Sequence, residues 1–329
     1  MLVTYGEPPT PSFAAHLVYS WRILLGLTRT IADIPKPLLP VIALARARTR
    51  NRAWTAEAYG SPLEELTRRQ AQRLQPALAG GGGEERWETR VAYEFREPLL
   101  RQVLEGLPAD DEVTVVPMYA TDSAFTHALS RDACAAHLVS RPRRGRVSVL
   151  THLDPEVLGE ACARHVLDLT AGDARWRGTD TALLLAAHGT LLEPKRPVDT
   201  GLAATTTLIE AIRRRLASCF GLIVPGWLNH VRGGRWTKPS VEEALGQVVE
   251  AGFSRVVYFP YGFLADNAES QLEGRVALRS QPGLEALHLP CLNDSPLLID
   301  ALAARVRQAR SSSRATSISS SFTTWPMPG

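Results

Sequence analysis

Apolar positions along the chain fall into short unbroken runs separated by longer mixed stretches. The runs near 2–5, 112–117, 146–151, 182–187, 220–224, 255–260 and 286–290 predict strands buried on both faces. Helices are expected between them, over 61–78, 88–106, 123–139, 155–169, 200–218, 240–251 and 295–310, the first opened by Ser61 as cap and Pro62 in its first turn. Strand alternating with helix implies a parallel sheet covered on both faces.

The chain also echoes itself. Tyr5-Gly6 after Leu2 to Thr4 matches His188-Gly189 after Leu184-Leu185, and Val113 to Pro117 with the later Asp122 matches Val256 to Pro260 with Asp266. A third echo joins Leu153-Asp154-Pro155 to Asn293-Asp294-Ser295-Pro296. The expected fold is therefore two similar doubly wound, Rossmann-like parallel-sheet domains, 1–172 and 173–310, with a cleft between them and a linker at 171–180. From Gly6 to Pro117 is 111 residues and from Gly189 to Pro260 is 71, an excess placed in segment 13–58 as a lid over the cleft. Short strands ending in Gly or Pro also recur in unrelated units, so the echoes alone leave duplication open.

A length of 329 residues is consistent with two domains, and 45% hydrophobic with 22% charged residues is ordinary for a soluble enzyme. Net charge is only +3, and the densest basic run, Arg46 to Arg52, reads as one solvated helix face, so no nucleic-acid partner is expected. The loop at Gly80 to Gly83 lacks the strand-to-helix context of a phosphate cradle. Residues 311–329 form a Ser/Thr-rich tail with too little apolar surface to fold, and disorder is expected there.

The cysteines Cys134, Cys162, Cys219 and Cys291 stand far apart with no C-x-x-C pair, so neither structural zinc nor an iron-sulfur cluster is expected. Buried reduced thiols and a cytoplasmic location follow as expectations. No signal peptide is read at the N-terminus, and no run reaches the roughly 18 apolar residues of a membrane span. The apolar stretch Phe13 to Leu27 is first read as core packing; a peripheral contact with a membrane surface is its alternative.

Two segments carry candidate chemistry. Leu183 to Thr190 is an apolar run that delivers His188 at a strand end beside Gly189. Val256 to Glu273 ends in a polar turn and sets Glu269 and Glu273 one helical turn apart, so both carboxylates share a face. Ligands of open α/β sheets sit beyond the carboxyl ends of strands, so these three side chains are candidates for one cleft. A base facing paired acids suits the exchange of a divalent metal and protons. The plainer alternatives are a satisfied strand-end histidine, a solvated helix face for the two acids, and a core tyrosine at Tyr5.

At this point the residues resemble those of the ferrochelatases, which insert ferrous iron into a porphyrin late in haem synthesis. Ala187-His188-Gly189 resembles that family's strand end, and Phe263 to Glu273 its Phe-x-Ser-Asp-His-x-Glu-x-x-x-Glu. Gly60-Ser61-Pro62-Leu63 with Gln70-Ala71, Trp236 to Pro239, and Leu292 to Leu297 are similar to three further family segments, in the family's order. Tyr5, Gly6 and Pro8 resemble the coproporphyrin III type. Asn267 departs from the family's usual His, and Asn229 to Arg235 departs from its Gln-Ser-Arg or Gln-Ser-Lys segment.

The resemblance implies a chelatase-like fold and a cytoplasmic lyase with His188, Glu269 and Glu273 as catalytic residues. It implies His188, Glu269 and Tyr5 as metal contacts, and Tyr5, Tyr119, Arg22, Arg29 and Arg46 as porphyrin contacts. Ferrous iron and porphyrin are its expected substrates, with no tightly bound cofactor. A membrane surface, or a porphyrin-supplying or haem-accepting enzyme, is the further partner to consider. Two alternatives stand beside it: a non-catalytic haem or porphyrin carrier, and a chelatase that inserts another divalent metal into a different tetrapyrrole.

Overall fold

A computed structural model describes residues 1–30, 34–80, 86–194, 196–228, 234–312 and 316–317 of the chain, with backbone alone at 29–30, 312 and 316–317. Strands β1 (Leu2–Thr4), β2 (Val91–Tyr93), β3 (Val113–Pro117) and β4 (Val147–Val149) form a parallel sheet ordered β2-β1-β3-β4. A second parallel sheet is built from β5 (Gly178–His188), β6 (Phe220–Leu228), β7 (Arg255–Phe259) and β8 (Glu285–His288), ordered β6-β5-β7-β8. The two orders are the same once β1 is matched with β5. The sequence echoes fall on equivalent strands: Tyr5-Gly6 and His188-Gly189 end β1 and β5, while Pro117 and Pro260 end or follow β3 and β7.

Helices α1 (Phe13–Thr30) and α2 (Leu39–Ala56) pack together in the segment read as a lid, and α3 (Leu63–Ala79) follows them. The N-terminal half continues with α4 (Leu100–Glu105), α5 (His127–Ser140) and α6 (Pro155–Thr170); the C-terminal half has α7 (Leu202–Leu216), α8 (Val241–Glu250), α9 (Gly274–Leu278) and α10 (Pro296–Ser312). Asp154 caps α6 by accepting the Glu156 amide at 2.8 Å, just before Pro155. Ser240 and Glu243 form a capping box on α8.

The residues Ala182 to Ala187 of β5 are all buried, which an unbroken apolar run requires of a strand covered on both faces. The largest core cluster joins the two halves. It includes Leu2, Val116 and Leu150 of the first sheet region, Leu183, Leu185, Val257 and Phe259 of the second, and Leu298, Leu302 and Val306 of α10. Helix α6 packs on α7, and α10 crosses back onto α3 and α6, so the halves share one interior. Each large apolar side chain buried there contributes about 1.5–3 kcal/mol, enough to hold the cleft walls in a fixed relation.

Three expectations need correction. Residues 88–106 are not one helix: β2 occupies 91–93 and α4 starts only at Leu100. Pro98 interrupts the stretch, since it has no amide to give a helix interior. The run Arg46 to Arg52 is not a single solvated face, because Arg48 and Arg52 are exposed whereas Arg50 turns inward with the buried Ala43, Ala47 and Trp54. The stretch 171–180 is not all linker, since Ala174–Trp176 is a 3-10 turn and β5 already begins at Gly178. Thr316–Ser317 lie antiparallel against β4, and the rest of the tail beyond Ser312 is outside the described residues, as is most of the Gly-rich loop. All four cysteines are unpaired, Cys134, Cys162 and Cys291 buried and Cys219 half-buried.

The carboxyl end of β5 is pressed against the loop after β7. A Cβ placed on Gly262 would lie 2.6 Å from the Ala187 Cβ and 2.8 Å from its Cα, and the Gly262 amide donates to the Ala186 carbonyl. Gly262→Ala is therefore expected to destabilise the protein by about 1–3 kcal/mol through overpacking, read as a lowered midpoint in thermal melting. An unchanged midpoint would show that this contact yields freely.

Candidate functional site

Strand β5 outruns its neighbour β7: its last partner there is Leu185 opposite Phe259, whereas on the other side His188 still pairs with Leu228 of β6. The overhang puts the His188 side chain at the carboxyl edge of the sheet. Its side chain is 50% exposed, and its Nδ1 lies 2.6 Å from Oε2 of Glu269, itself only 17% exposed. An ionised carboxylate only accepts hydrogen bonds, so Nδ1 carries the proton and Nε2 keeps a lone pair for a proton or a metal.

Glu269 and Glu273 lie on a π-helical turn, Ala268–Glu273, rather than on the α-helix expected from their spacing. The wider turn still brings residues four apart close to one face, and such turns are frequent at functional sites. Asn267 starts it: its Oδ1 accepts the amides of Glu269 at 2.9 Å and Ser270 at 3.1 Å, and its own amide donates to Ser270 Oγ at 2.9 Å. The departure at Asn267 is thus a helix cap. Asp266 anchors the preceding loop by accepting from Gln271, from the Cys291 amide and from Asn293, each at 2.8 Å. Asn293 returns the contact to the Asp266 amide, also at 2.8 Å, which gives the Leu292-Asn293 segment a structural role.

Burial, the largest single effect, would lower the His188 pKa, but the charge and hydrogen bond of Glu269 together with the charge of Glu273 outweigh it and the net direction is up. Burial, followed by repulsion from Glu269, pushes Glu273 up to about 8. Near neutral pH Glu273 therefore holds a proton, behind the Glu269 side chain that pairs with the imidazole.

The carboxyl edge of the N-terminal sheet faces this pair with aromatic and acidic groups. The Tyr5 ring lies 4.8 Å from that of Tyr119, 5.5 Å from Phe95 and 5.8 Å from Phe125. Its hydroxyl donates to the Phe125 carbonyl at 2.5 Å, and burial raises its pKa, so it stands as a neutral phenol. Glu94, just past β2, accepts from Tyr119 at 3.0 Å and from Ser130 at 2.8 Å; burial pushes it up to about 8. Tyr119 also bridges to Phe263 of the other half. The lid closes on the same region, with Tyr19 6.4 Å from Phe95 and Gly26 against Phe95.

The structure thus brings together His188, Glu269 and Glu273 on one wall and Tyr5 with Tyr119 on the other. Arg46 is half-buried near Glu269 and Glu273, its pKa lowered by burial and by the neighbouring Arg50, which those acids only partly offset. Arg22 is already engaged, donating to Glu97 at 3.0 Å and to the Phe95 carbonyl at 3.3 Å. The side chain of Arg29 and residues 229–233 lie outside the described residues. Sequence reasoning passed over Glu94, hidden inside the supposed helix 88–106, and Glu7, which follows the Tyr5-Gly6 strand end directly. The strand-end argument applied to every strand would have found both.

Two doubly wound sheets with the same strand order and facing carboxyl edges define a chelatase-type α/β protein. Solved structures of that fold superpose on the chain: SirB from Bacillus subtilis with Fe3+ at a TM-score of 0.54 and 15% identity, covering 78% of this chain and 95% of that one, and the sirohydrochlorin chelatase SirB from Bacillus subtilis subspecies spizizenii in complex with cobalt at 0.51 and 16%, covering 79% and 96%. The ferrochelatase family model matches residues 1–310, and the chain belongs to that family. It is 30% identical to a ferrochelatase of Azoarcus sp. (strain BH72) over 93% of this chain and 86% of the relative. A ferrochelatase of Neisseria meningitidis serogroup A is 27% identical over 92% and 91%. The protein is accordingly a metal-insertion enzyme of the lyase class.

The state of Glu273 leaves a signature in stability. Its folded-state pKa of about 8 exceeds the unfolded value of 4.5, so between these pH values the folded chain holds a proton that the unfolded chain has released. Stability contributed by this group falls as pH rises through that window. Glu273→Gln, which cannot ionise, should melt close to the wild type at pH 5 and above it at pH 8. A gap independent of pH would contradict the raised pKa.

Proposed function

We propose that this chain inserts ferrous iron into a porphyrin, coproporphyrin III or protoporphyrin IX, in haem biosynthesis, with His188 as the base at the macrocycle. The observation that carries this reading is the 2.6 Å contact between His188 and Glu269 at the facing strand ends. Insertion removes two pyrrole protons and strips water from a divalent ion. Nε2 of His188 takes a proton, and Glu269 stabilises the imidazolium that results. Glu273 behind it, titrating near neutral pH, both accepts and releases protons and links the site to water. No resident cofactor is assigned, iron being substrate.

The Tyr5, Tyr119, Phe95 and Phe125 rings, tilted against one another, supply a largely apolar wall for a macrocycle. Arg46 is the propionate partner we assign on the lid, with Arg22 able to serve by exchanging Glu97 for a substrate carboxylate. Tyr5 at the first strand end favours coproporphyrin III. Among the described residues no helix is long and apolar enough to cross a membrane. Phe13, Val18 and Trp21 of α1, and Leu38 and Val41 after it, are exposed apolar side chains, and to these we assign a peripheral membrane contact.

Anaerobic incubation with ferrous iron and each porphyrin, followed by absorbance, tests the reading. Wild type should form metalloporphyrin, faster with coproporphyrin III, and His188→Ala should be slowed about 10²- to 10⁴-fold while still quenching porphyrin fluorescence on binding. Full turnover by His188→Ala would remove the base assignment, preference for protoporphyrin IX would remove the subtype, and no insertion of iron into either would remove the substrate proposal.

A further inference from the structure

The buried carboxylate of Glu7 belongs to no step described above, yet it lies one residue's reach from the acids. Gly6, at φ +73°, turns the chain off β1, and Glu7 then enters the interior with 4% exposure. Its Oε1 accepts from Arg50 at 2.9 Å, and its Oε2 from Ser61 Oγ at 2.6 Å and from the Ala268 amide at 3.0 Å. The three donors come from the lid, from the turn before α3 and from the first residue of the π-helical turn.

The opening amides of that turn are fully accounted for. Glu269 and Ser270 donate to Asn267 Oδ1, Gln271 donates to the Asn267 carbonyl at 3.0 Å, and Ala268 donates to Glu7. Three of the four are satisfied inside the loop. The fourth is satisfied from the other half of the chain, 261 residues away. Arg50 continues the connection, with its guanidinium carbon 5.3 Å from the Tyr19 ring centre and 5.8 Å from that of Trp54. Burial, the largest effect, raises the pKa of Glu7, and the Arg50 guanidinium, Ser61 and the Ala268 amide only partly pull it back, so these three partners are what favours the carboxylate form in a buried site.

A buried ion pair is a weak source of stability, since apolar groups of the same shape serve as well. What this pair supplies is location. We infer that Glu7 is a positioning residue for the reaction: it seats the first turn of the acid-bearing helix so that Glu269 meets His188, and through Arg50 it ties that seat to the lid. The inference rests on the reading that Glu269 acts with His188 in metal insertion.

The test is a mutant cycle in anaerobic iron insertion. Glu7→Gln should lower kcat about 10- to 100-fold, the scale of a misplacement near 1 Å, with KM for porphyrin within about twofold of wild type. In a Glu269→Gln background the same change should have no further effect, because Glu7 acts through Glu269. Glu7→Gln with Arg50→Met removes both buried charges, and should restore the melting midpoint without restoring kcat. Three results overturn the inference while leaving the site reading in place: full kcat in Glu7→Gln, a multiplicative loss in the double variant, or recovery of kcat together with stability. Full activity of Glu269→Gln alone would overturn the site reading, and this inference with it.

Discussion

The contact between His188 and Glu269 joins a strand end to a helix that starts nine residues after the neighbouring strand, and most of the surrounding structure serves to make it. Strand β5 must outrun β7 to bring the imidazole to the edge. The loop after β7 must be cross-linked by Asp266, Asn267 and Asn293 so that the π-helical turn begins in the right place. Gly262 must lack a side chain for that loop to lie against Ala187. None of these features is chemically reactive, and each restricts where a carboxylate can stand relative to the ring.

Its electrostatic consequence is a site with distinct protonation states at close quarters. Glu269 favours a protonated imidazole against the effect of burial, while Glu273 is pushed up to about 8. Across the cleft Glu94 reaches a similar value from burial alone, opposed by its bonds from Ser130 and Tyr119. Metal insertion releases two protons, and groups that titrate near neutral pH are suited to carrying them away. The aromatic rings of Tyr5, Tyr119, Phe95 and Phe125 add apolar surface beside them, and a less polar surrounding strengthens such interactions.

Much of this was legible in the sequence because buried parallel strands leave unbroken apolar runs, and because a titratable residue at the end of such a run is conspicuous. His188, Glu269 and Glu273 were found that way, and the echoes of Tyr5-Gly6 and Pro117 fell on equivalent strands. The three-residue β2 escaped notice since its flanks continue a helical composition, and Glu94 went with it. The inward turn of Arg50 escaped for another reason: a basic run looks solvated until the aromatic rings of Tyr19 and Trp54 are placed around it. The π-helical turn is invisible to residue spacing, which fits an α-helix equally well. The resemblance makes Arg22 a porphyrin contact, and nothing in the sequence shows that Glu97 already holds it.

The account turns on the protonation of His188, and nitrogen NMR of the histidine-labelled protein reads it directly. It predicts a ring that, above its pKa, is neutral and protonated at Nδ1, with a pKa above the ordinary value of about 6.5 that drops in Glu269→Gln, where burial is opposed only by Glu273. A wild-type ring protonated at Nε2, or a pKa that Glu269→Gln leaves unmoved, would contradict it.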